Sequence, residues 1–266
     1  TYSISGSEIN IDTSTGVLTF VSAPDYETKS SYSATVSVSD GTNAVTQEIS
    51  INVTNLNDNV PAFTSSVSYS ADENQTSIGV VTAIDTDNDP LTYTLSGTDV
   101  SSMSLDASSG VLTFKSAPDY ETKSSYSVTV SASDGTNSTS QDITVNVINV
   151  NDNAPEFTSN ASFTADENQT SIGQVVATDA DNDSLTYSIS GSEINIDSST
   201  GVLTFVSAPD YETKSSYSAT VTVSDGTNSD SQDIIINIVD SNDSAPVFTS
   251  SSVFTVEENQ TSIGVM

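Results

Sequence analysis

The acidic motifs of this chain return at an interval of one small domain. Successive copies lie 94 and then 91 residues apart. A repeat of this length is too long for a solenoid unit and suits one sandwich domain per period. The recurring motifs are "DYE" at 25–27, 119–121 and 210–212, "SDG" at 39–41, 133–135 and 224–226, and "DENQTSIG" at 72–79 and 166–173, varied to "EENQTSIG" at 257–264.

The secondary-structure pattern within a repeat is that of β-strands. Residues 125–135 alternate apolar side chains with Ser and Thr, and residues 142–149 do the same. This period of two predicts half-buried strands, and no stretch keeps a period of 3.6. Seven short strands per repeat predict an antiparallel sandwich with one face of each sheet buried.

A proline connector, "NDNVP" at 57–61 and "NDNAP" at 151–155, sets the phase of the repeats. It predicts two complete domains, preceded by the C-terminal part of one repeat and followed by the N-terminal strands of another. We interpret the partial copies as a window on a longer array, in preference to strand exchange between chains. The predicted segments are 1–59, 60–153, 154–244 and 245–266.

The charge balance excludes several classes of partner. The chain has 36 acidic residues against four basic ones, a formal net charge of −32, and no His, Cys or Trp. Nucleic acids and anionic membranes need basic patches, so neither is expected as a partner. No apolar run is long enough to insert into a membrane. We expect an extracellular location, with stability from core packing and bound cations, because disulfides are impossible.

The acidic residues have two interpretations, a solvated coat or a set of cation ligands. Over half of them occupy fixed repeat positions, which a coat would not require. Hard oxygen ligands without His or Cys suit calcium better than zinc or copper. The stretches at 85–89 and 179–183 could be mistaken for EF-hand loops, but no glycine at loop position six and no helices follow. The sequence therefore predicts calcium sites of another kind.

The motif order DEN, DTD, DYE, SDG and NDNAP resembles the cadherin repeat family, specifically the tandem repeats of large bacterial surface or secreted adhesins. The resemblance covers the entire chain. It implies an all-β fold of tandem seven-stranded antiparallel Greek-key β-sandwiches arranged as an extended rod. It also implies about three calcium ions at each complete junction between domains.

The resemblance implies ligands at one complete junction, where seven carboxylates would be nearly neutralised by the calcium ions. These ligands are Glu73, Asp119 and Glu121 of one repeat, Asn151, Asp152 and Asn153 of the linker, and Asp179, Asp181 and Asp225 of the next repeat.

Two other junctions are incomplete in this sequence, and the second is expected to hold fewer ions. At the second, Asp240 keeps an acidic linker start that Asn55 and Asn149 replace elsewhere. The implied ligands are Asp25, Glu27, Asn57, Asp58, Asn59, Asp85, Asp87 and Asp134 near residue 60, and Glu167, Asp210, Glu212, Asp240, Asn242 and Asp243 near residue 245.

The predicted function is mechanical: a calcium-rigidified extracellular stalk or adhesion array of a large bacterial surface protein. The alternatives are a filament or sheath subunit that packs laterally, and a module that binds other cadherin-like repeats or cell-surface polysaccharide. An enzyme is not expected, because the acids repeat identically at joints and no Ser or Thr has a His base nearby.

Overall fold

The computed structural model describes residues 1–265. The chain divides into two compact units, the first spanning Thr1–Val150 and the second beginning at Asn151. The repeat boundaries drawn from the proline connector stay predictions. Within the described residues, no helix is both long and apolar enough to cross a membrane.

The first unit holds a partial sandwich and a complete one. A 3-10 helix, Val100–Ser102, lies in the three-residue insertion that lengthens this repeat. The strands of the partial sandwich are β1 (Tyr2–Ile4), β2 (Ile9–Ile11), β3 (Leu18–Phe20), β4 (Ser31–Ser39) and β5 (Ala44–Asn52). Those of the complete sandwich are β6 (Ala62–Phe63), β7 (Ser68–Asp72), β8 (Ser77–Val80), β9 (Ala83–Ile84), β10 (Thr92–Ser96), β11 (Met103–Leu105), β12 (Val111–Phe114), β13 (Ser125–Ser133) and β14 (Ser138–Ile148).

The second unit repeats the complete sandwich. No strand is formed in the described segment 245–265, where N-terminal strands of a further repeat were expected, because the segment has no equivalents of β12 and β14 to pair with. The strands of this unit are β15 (Glu156–Phe157), β16 (Ser162–Asp166), β17 (Ser171–Gln174), β18 (Ala177–Thr178), β19 (Thr186–Ile189), β20 (Ile194–Ile196), β21 (Val202–Phe205), β22 (Ser216–Ser224) and β23 (Ser229–Val239).

Each complete sandwich has seven main strands in two sheets. In the first unit the sheets run β10-β13-β14-β7 and β11-β12-β8, and the second unit has the equivalent orders. The all-β prediction is confirmed. One detail differs from a purely antiparallel sandwich: β7 pairs parallel to β14, and β16 parallel to β23. Because the number of strands is odd, the first and last strands run in the same direction. The chain therefore enters each sandwich at one end and leaves it at the opposite end.

The core lies between the two sheets, where the alternating pattern places it. Along β13, Val128, Val130 and Ala132 are buried, while the Ser and Thr residues between them face outward. In β12, Leu112 has no exposed surface, and its counterpart Leu203 in the second unit has none either. Burial of these branched and aromatic side chains supplies the main driving force for folding.

A tight turn joins β11 to β12 and fixes their register. Asp106 Oδ1 accepts hydrogen bonds from the backbone N–H groups of Ser108 and Ser109 at 3.0 and 2.8 Å. Gly110 follows with φ +70°, a left-handed conformation that favours glycine. Its carbonyl accepts the Val81 N–H at 2.8 Å, which brings the loop before β9 against the turn.

We predict that Gly110→Ala separates the turn between β11 and β12 from the loop before β9. A Cβ at position 110 would lie 2.0 Å from the Val81 carbonyl oxygen, whereas Gly135, with φ +96°, has nothing within 4 Å of an added Cβ. Both alanines carry left-handed strain, so Gly135→Ala is the matched control. We expect Gly110→Ala to cost about 1–3 kcal/mol beyond the control because the backbone must shift. Hydrogen exchange of the Val81 amide measures the difference, and equal protection in both variants would contradict the prediction.

Candidate metal centre

In the first unit, the linker after β5 is held by the carboxylate of Asp87. Asp87 is 5% exposed and lies in the loop between β9 and β10. Its Oδ2 atom accepts the backbone N–H groups of Asp58 and Asn59 at 3.0 and 2.8 Å, and its Oδ1 atom accepts Asn59 Nδ2 at 2.8 Å. The Asn59 N–H in particular lowers the pKa of Asp87, so the group is ionised. The loop between β9 and β10 and the linker thus meet at one carboxylate.

A second loop, the hairpin between β13 and β14, holds the same linker. Asp134 Oδ1 closes this hairpin by accepting the N–H groups of Thr136 and Asn137 at 2.7 and 2.6 Å. Asn137 Nδ2 then donates to Asn57 Oδ1 and to the Asn59 carbonyl, both at 3.1 Å. Asn137 was not among the predicted site residues.

The sequence does carry a signal for this residue, because "TN" follows every "SDG" motif. In the second unit its counterpart Asn228 makes the equivalent bonds, to Asn151 Oδ1 at 3.0 Å and to the Asn153 carbonyl at 3.3 Å. The asparagine of "SDGTN" therefore positions the linker in both units.

Three carboxylates converge at the linker of the first unit: Glu27 of "DYE", Asp58 of the linker and Asp87. One oxygen of each lies within 4.8 Å of the others. Burial, and then the neighbouring carboxylate of Asp87, raises the pKa of Glu27, although its own backbone N–H opposes the shift. Such crowding of like charges is unfavourable unless a proton or a cation relieves it.

Several carboxylate oxygens at this linker are buried without a hydrogen-bond partner. They are Glu27 Oε1, Asp85 Oδ2 and Asp134 Oδ2. An unsatisfied buried oxygen of a charged group is costly, and a cation removes that cost. Carboxylate, carboxamide and carbonyl oxygens together are the ligands that calcium prefers. The residues present therefore fit a calcium ion.

The first acid of each "DYE" motif is placed differently from the glutamate that follows. Asp25 is exposed, and its Oδ2 accepts the hydroxyl of Thr28 at 2.8 Å. In the same way, Asp119 and Asp210 each accept the hydroxyl of the threonine three residues later, at 2.9 and 2.8 Å. Among the described residues, none of the three belongs to a close carboxylate group. Their predicted role as ligands stays a prediction.

Glu73 ties three parts of the first unit together. It is 2% exposed at the end of β7, and its two oxygens accept the backbone N–H groups of Tyr120 at 2.8 Å and Val150 at 2.7 Å. Glu121, the other acid of this "DYE" motif, is exposed. Glu73 thus fixes the "DYE" loop and the start of the next linker relative to the sheet.

The second unit has a carboxylate group at the equivalent lower end. Buried Glu167 accepts the N–H groups of Tyr211 at 2.9 Å and Ser241 at 2.5 Å, and it lies within 4.8 Å of Glu212 and Asp243 through one oxygen each. The linker residues Asp240 and Asn242 are exposed, and the carboxylate of Asp240 does not belong to this group.

The upper end of the second unit reproduces the acidic loops described around Asp87. Asp181 Oδ2 accepts the N–H groups of Asp152 and Asn153 at 3.1 and 2.8 Å. The Oδ2 atoms of Asp179 and Asp225 are buried without a hydrogen-bond partner. Each unit by itself therefore shows the bare oxygens that a cation would satisfy.

Tandem seven-stranded sandwiches with acidic loops at their ends define a class of modular repeat proteins. The sequence matches the Cadherin domain family over residues 66–151 and 160–239. The chain belongs to the cadherin domain family, as the motif order predicted.

Animal proteins are among the relatives. The chain is 32% identical over 277 residues to the mouse cadherin EGF LAG seven-pass G-type receptor 2, covering 94% of this chain and 9% of the receptor. It is 34% identical over 249 residues to human protocadherin-11 X-linked, covering 84% of this chain and 18% of the protocadherin. The chain thus spans less than a fifth of either relative.

Solved structures agree on the fold. The protocadherin gammaB4 extracellular domain superposes with a TM-score of 0.72 at 27% identity, covering 91% of this chain and 44% of that one. The protocadherin gammaB7 EC3-6 cis-dimer structure gives 0.76 at 26% identity, with 90% and 66% covered. Cadherin-like tandem sandwiches are therefore confirmed.

We predict that Glu73→Gln loosens the "DYE" loop and the linker start. An amide has one acceptor oxygen, so the Tyr120 or Val150 N–H would lose its partner at a buried site, at a cost of about 1–3 kcal/mol. Faster hydrogen exchange at those two amides is the expected result. Asp72→Asn, a neighbouring exposed acid, is the control. Unchanged exchange at both amides in Glu73→Gln would contradict the structural role.

Proposed function

We propose that this chain is a calcium-stiffened repeat array from an extracellular protein, with calcium held where one repeat meets the next. The observation that carries the proposal is the set of bare, buried carboxylate oxygens beside the linker in the first unit, on Glu27, Asp85 and Asp134. The chain has four lysines against 36 acidic residues, so few of its own side chains are positively charged and able to neutralise these oxygens.

At this linker the chain's own residues do the positioning, and calcium supplies the missing positive charge. Asp87 and Asn137 already hold the linker backbone by hydrogen bonds. Glu27, Asp58 and Asp85 would hold the ion together with Asp87 and Asp134. Neutralising this group removes the repulsion that otherwise drives the linker away from the loops.

The repeat gives these residues counterparts elsewhere in the sequence, and we propose them as ligands on the same grounds. About three ions per complete junction is part of the proposal. The counterparts are Glu73, Asp119, Glu121, Asn151, Asp152, Asn153, Asp179, Asp181 and Asp225, and, at the incomplete end, Glu167, Asp210, Glu212, Asp240, Asn242 and Asp243.

The biological role we propose is that of a spacer within an adhesion protein. Residues 1–43 return at 186–228 with only Thr13 and Ser37 replaced, by Ser198 and Thr222. Near-identical copies favour a role in which the number of repeats matters more than the identity of each. A bacterial surface protein stays part of this proposal on the resemblance of the motif order alone, and the relatives named above are animal proteins.

Contact between copies of such repeats is a second candidate function. The solved gammaB7 protocadherin is described as a cis-dimer, which is a property of that protein and motivates the test here. Polysaccharide binding has weaker support, because the chain has no Trp and the exposed Tyr26 and Tyr211 lie in the "DYE" loops. Analytical ultracentrifugation across a concentration series in calcium distinguishes a monomeric spacer from a self-associating module.

We predict that calcium stabilises the folded chain and that its removal shortens it in solution. A ligand that binds only the native state adds about 2.7 kcal/mol at a free concentration one hundred times its Kd. We therefore expect a higher midpoint of thermal unfolding in calcium and a smaller maximum dimension, by small-angle X-ray scattering, in a chelator.

Magnesium at the same ionic strength is the control for simple charge screening. It should reproduce little of the effect, because magnesium retains its water shell and demands a tighter octahedral geometry. Identical scattering curves and identical midpoints with and without calcium would overturn the proposed function.

A further inference from the structure

Three of the four lysines of the chain occupy the same position in successive repeats. Lys29, Lys123 and Lys214 each lie two residues after a "DYE" motif, and the fourth lysine, Lys115, lies elsewhere. Among residues 1–265, none of the three pairs with an acid of a linker. Their task is therefore something other than neutralising the linker acids.

Each of these lysines pairs with an acid in the connection that crosses from one sheet of its sandwich to the other. Lys29 Nζ donates to both oxygens of Glu8, at 2.7 and 2.5 Å, and Lys214 Nζ donates to both oxygens of Glu193, at 2.8 and 2.7 Å. Glu8 lies between β1 and β2, and Glu193 directly precedes β20. The lysine side chain therefore ties the "DYE" loop to the crossover connection.

The middle repeat forms the same pair from a different acid. Asp99, at the start of the three-residue insertion, stands in place of the glutamate, and Lys123 Nζ donates to its Oδ1 atom. Asp99 Oδ2 also accepts the backbone N–H of Ser127 at 2.8 Å. The pair thus persists although both the acid and the length of the connection differ.

The same lysines lie over tyrosine rings that bridge the two sheets. Their Nζ atoms are 4.5, 4.6 and 4.2 Å from the ring centres of Tyr32, Tyr126 and Tyr217. Each tyrosine also meets a phenylalanine of the opposite sheet edge to face, with ring centres 4.9, 5.0 and 4.9 Å apart. A cation is attracted to the face of an aromatic ring. The lysine is thus held on two sides, by a carboxylate and by a ring.

The lysine is also the last residue of the short turn that begins at the "DYE" motif. In the partial sandwich, the Lys29 backbone N–H donates to the Asp25 carbonyl at 2.9 Å, and the Thr28 hydroxyl donates to Asp25 Oδ2 at 2.8 Å. Glu27 lies inside this turn. Because the turn is closed by its own hydrogen bonds, a fixed lysine also restricts where the Glu27 side chain can lie.

The partial sandwich places this loop with the lysine contact alone. In the complete sandwich the start of the turn is held as well, because Glu73 accepts the Tyr120 N–H at 2.8 Å. The partial sandwich contains no counterpart of Glu73. Glu27 nevertheless has one oxygen within 4.8 Å of an oxygen of Asp58 and of Asp87. The lysine end of the turn is therefore the anchor that the two loops share.

We propose that Lys29, Lys123 and Lys214 are positioning residues, which hold the "DYE" turn so that its glutamate faces the linker. They act through the turn and are not themselves ligands. This inference rests on the proposed function, because the direction of the glutamate matters for binding only if a cation is held at the linker.

The test is Lys29→Met in the full chain, a change that keeps an unbranched apolar stem and removes the charge. Lys115→Met is the matched control, because it removes the same charge from the same unit. Lys115 Nζ donates to the carbonyls of Val100 and Ser101, at 3.3 and 3.0 Å, and has no part in the contacts of Lys29. Circular dichroism verifies that each variant is folded.

Calcium binding is followed by NMR through the amide signals of Asp58 and Asn59 in the linker. We expect Lys29→Met to raise the calcium concentration at half-saturation about three- to tenfold. Removing a positive charge would by itself tighten cation binding, so a weakening reports the position of the loop. Lys29→Arg should restore binding, because arginine keeps the charge and stacks on aromatic rings. The unfolding midpoint in a chelator should change little, since exposed pairs contribute little to stability.

Four outcomes decide the inference. Weaker binding in Lys29→Met, with normal binding in Lys115→Met and Lys29→Arg, supports it. Binding in Lys29→Met that equals or exceeds that of the control overturns the positioning role and leaves the proposed function intact. No response of the wild-type amides to calcium overturns both. If Lys29→Met is unfolded, Glu8→Gln breaks the same pair from the acid side, with exposed Glu48→Gln as its charge-matched control, and equal binding by these two variants counts against the inference.

Discussion

The carboxylate of Asp87 is the point on which the linker of the first unit depends. It is almost fully buried, yet it is ionised, because three N–H donors of Asp58 and Asn59 surround it. A neutral side chain of the same size would lose much of that attraction. The arrangement has a cost. Because the buried charge of Asp87 binds the linker backbone, it also brings the acidic side chains of the linker close to the other acids of the site. The same bonds that place the linker thus create the crowding around Glu27.

The few basic residues lie where they do not relieve this crowding. Lys29 pairs with Glu8 and lies 4.5 Å from the centre of the Tyr32 ring, and Lys214 pairs with Glu193 and lies 4.2 Å from the Tyr217 ring. Such exposed pairs contribute little to stability. Among the described residues, no lysine forms an ion pair with an acid of the linker or of the loops that hold it. The positive charge that would neutralise the acids of the linker and its loops must therefore come from cations in solution.

The strands were predictable from local pattern, and the partners of individual side chains were not. Alternation alone located β13 and its buried face, because a half-exposed strand repeats every two residues. The parallel pairing of β7 with β14 is a property of topology, and no local pattern reports it. At the site, the repeat pattern assigned Glu27 and Asp87 to one junction, and one oxygen of each lies within 4.8 Å of the other, while their role as ligands stays a prediction. The different surroundings of Asp25, bonded to its own Thr28, depend on rotamers that the sequence does not specify.

The parallel first and last strands have a mechanical consequence. Tension applied through the two ends of a repeat pulls β7 and β14 in opposite directions along their own axes. The five registered residue pairs from Ser68 with Thr144 to Asp72 with Ile148 are then loaded together in shear. Hydrogen bonds in shear must break as a group, whereas antiparallel terminal strands would open one pair at a time like a zip. A repeat built in this way resists stretching through its backbone, independently of whatever its side chains bind.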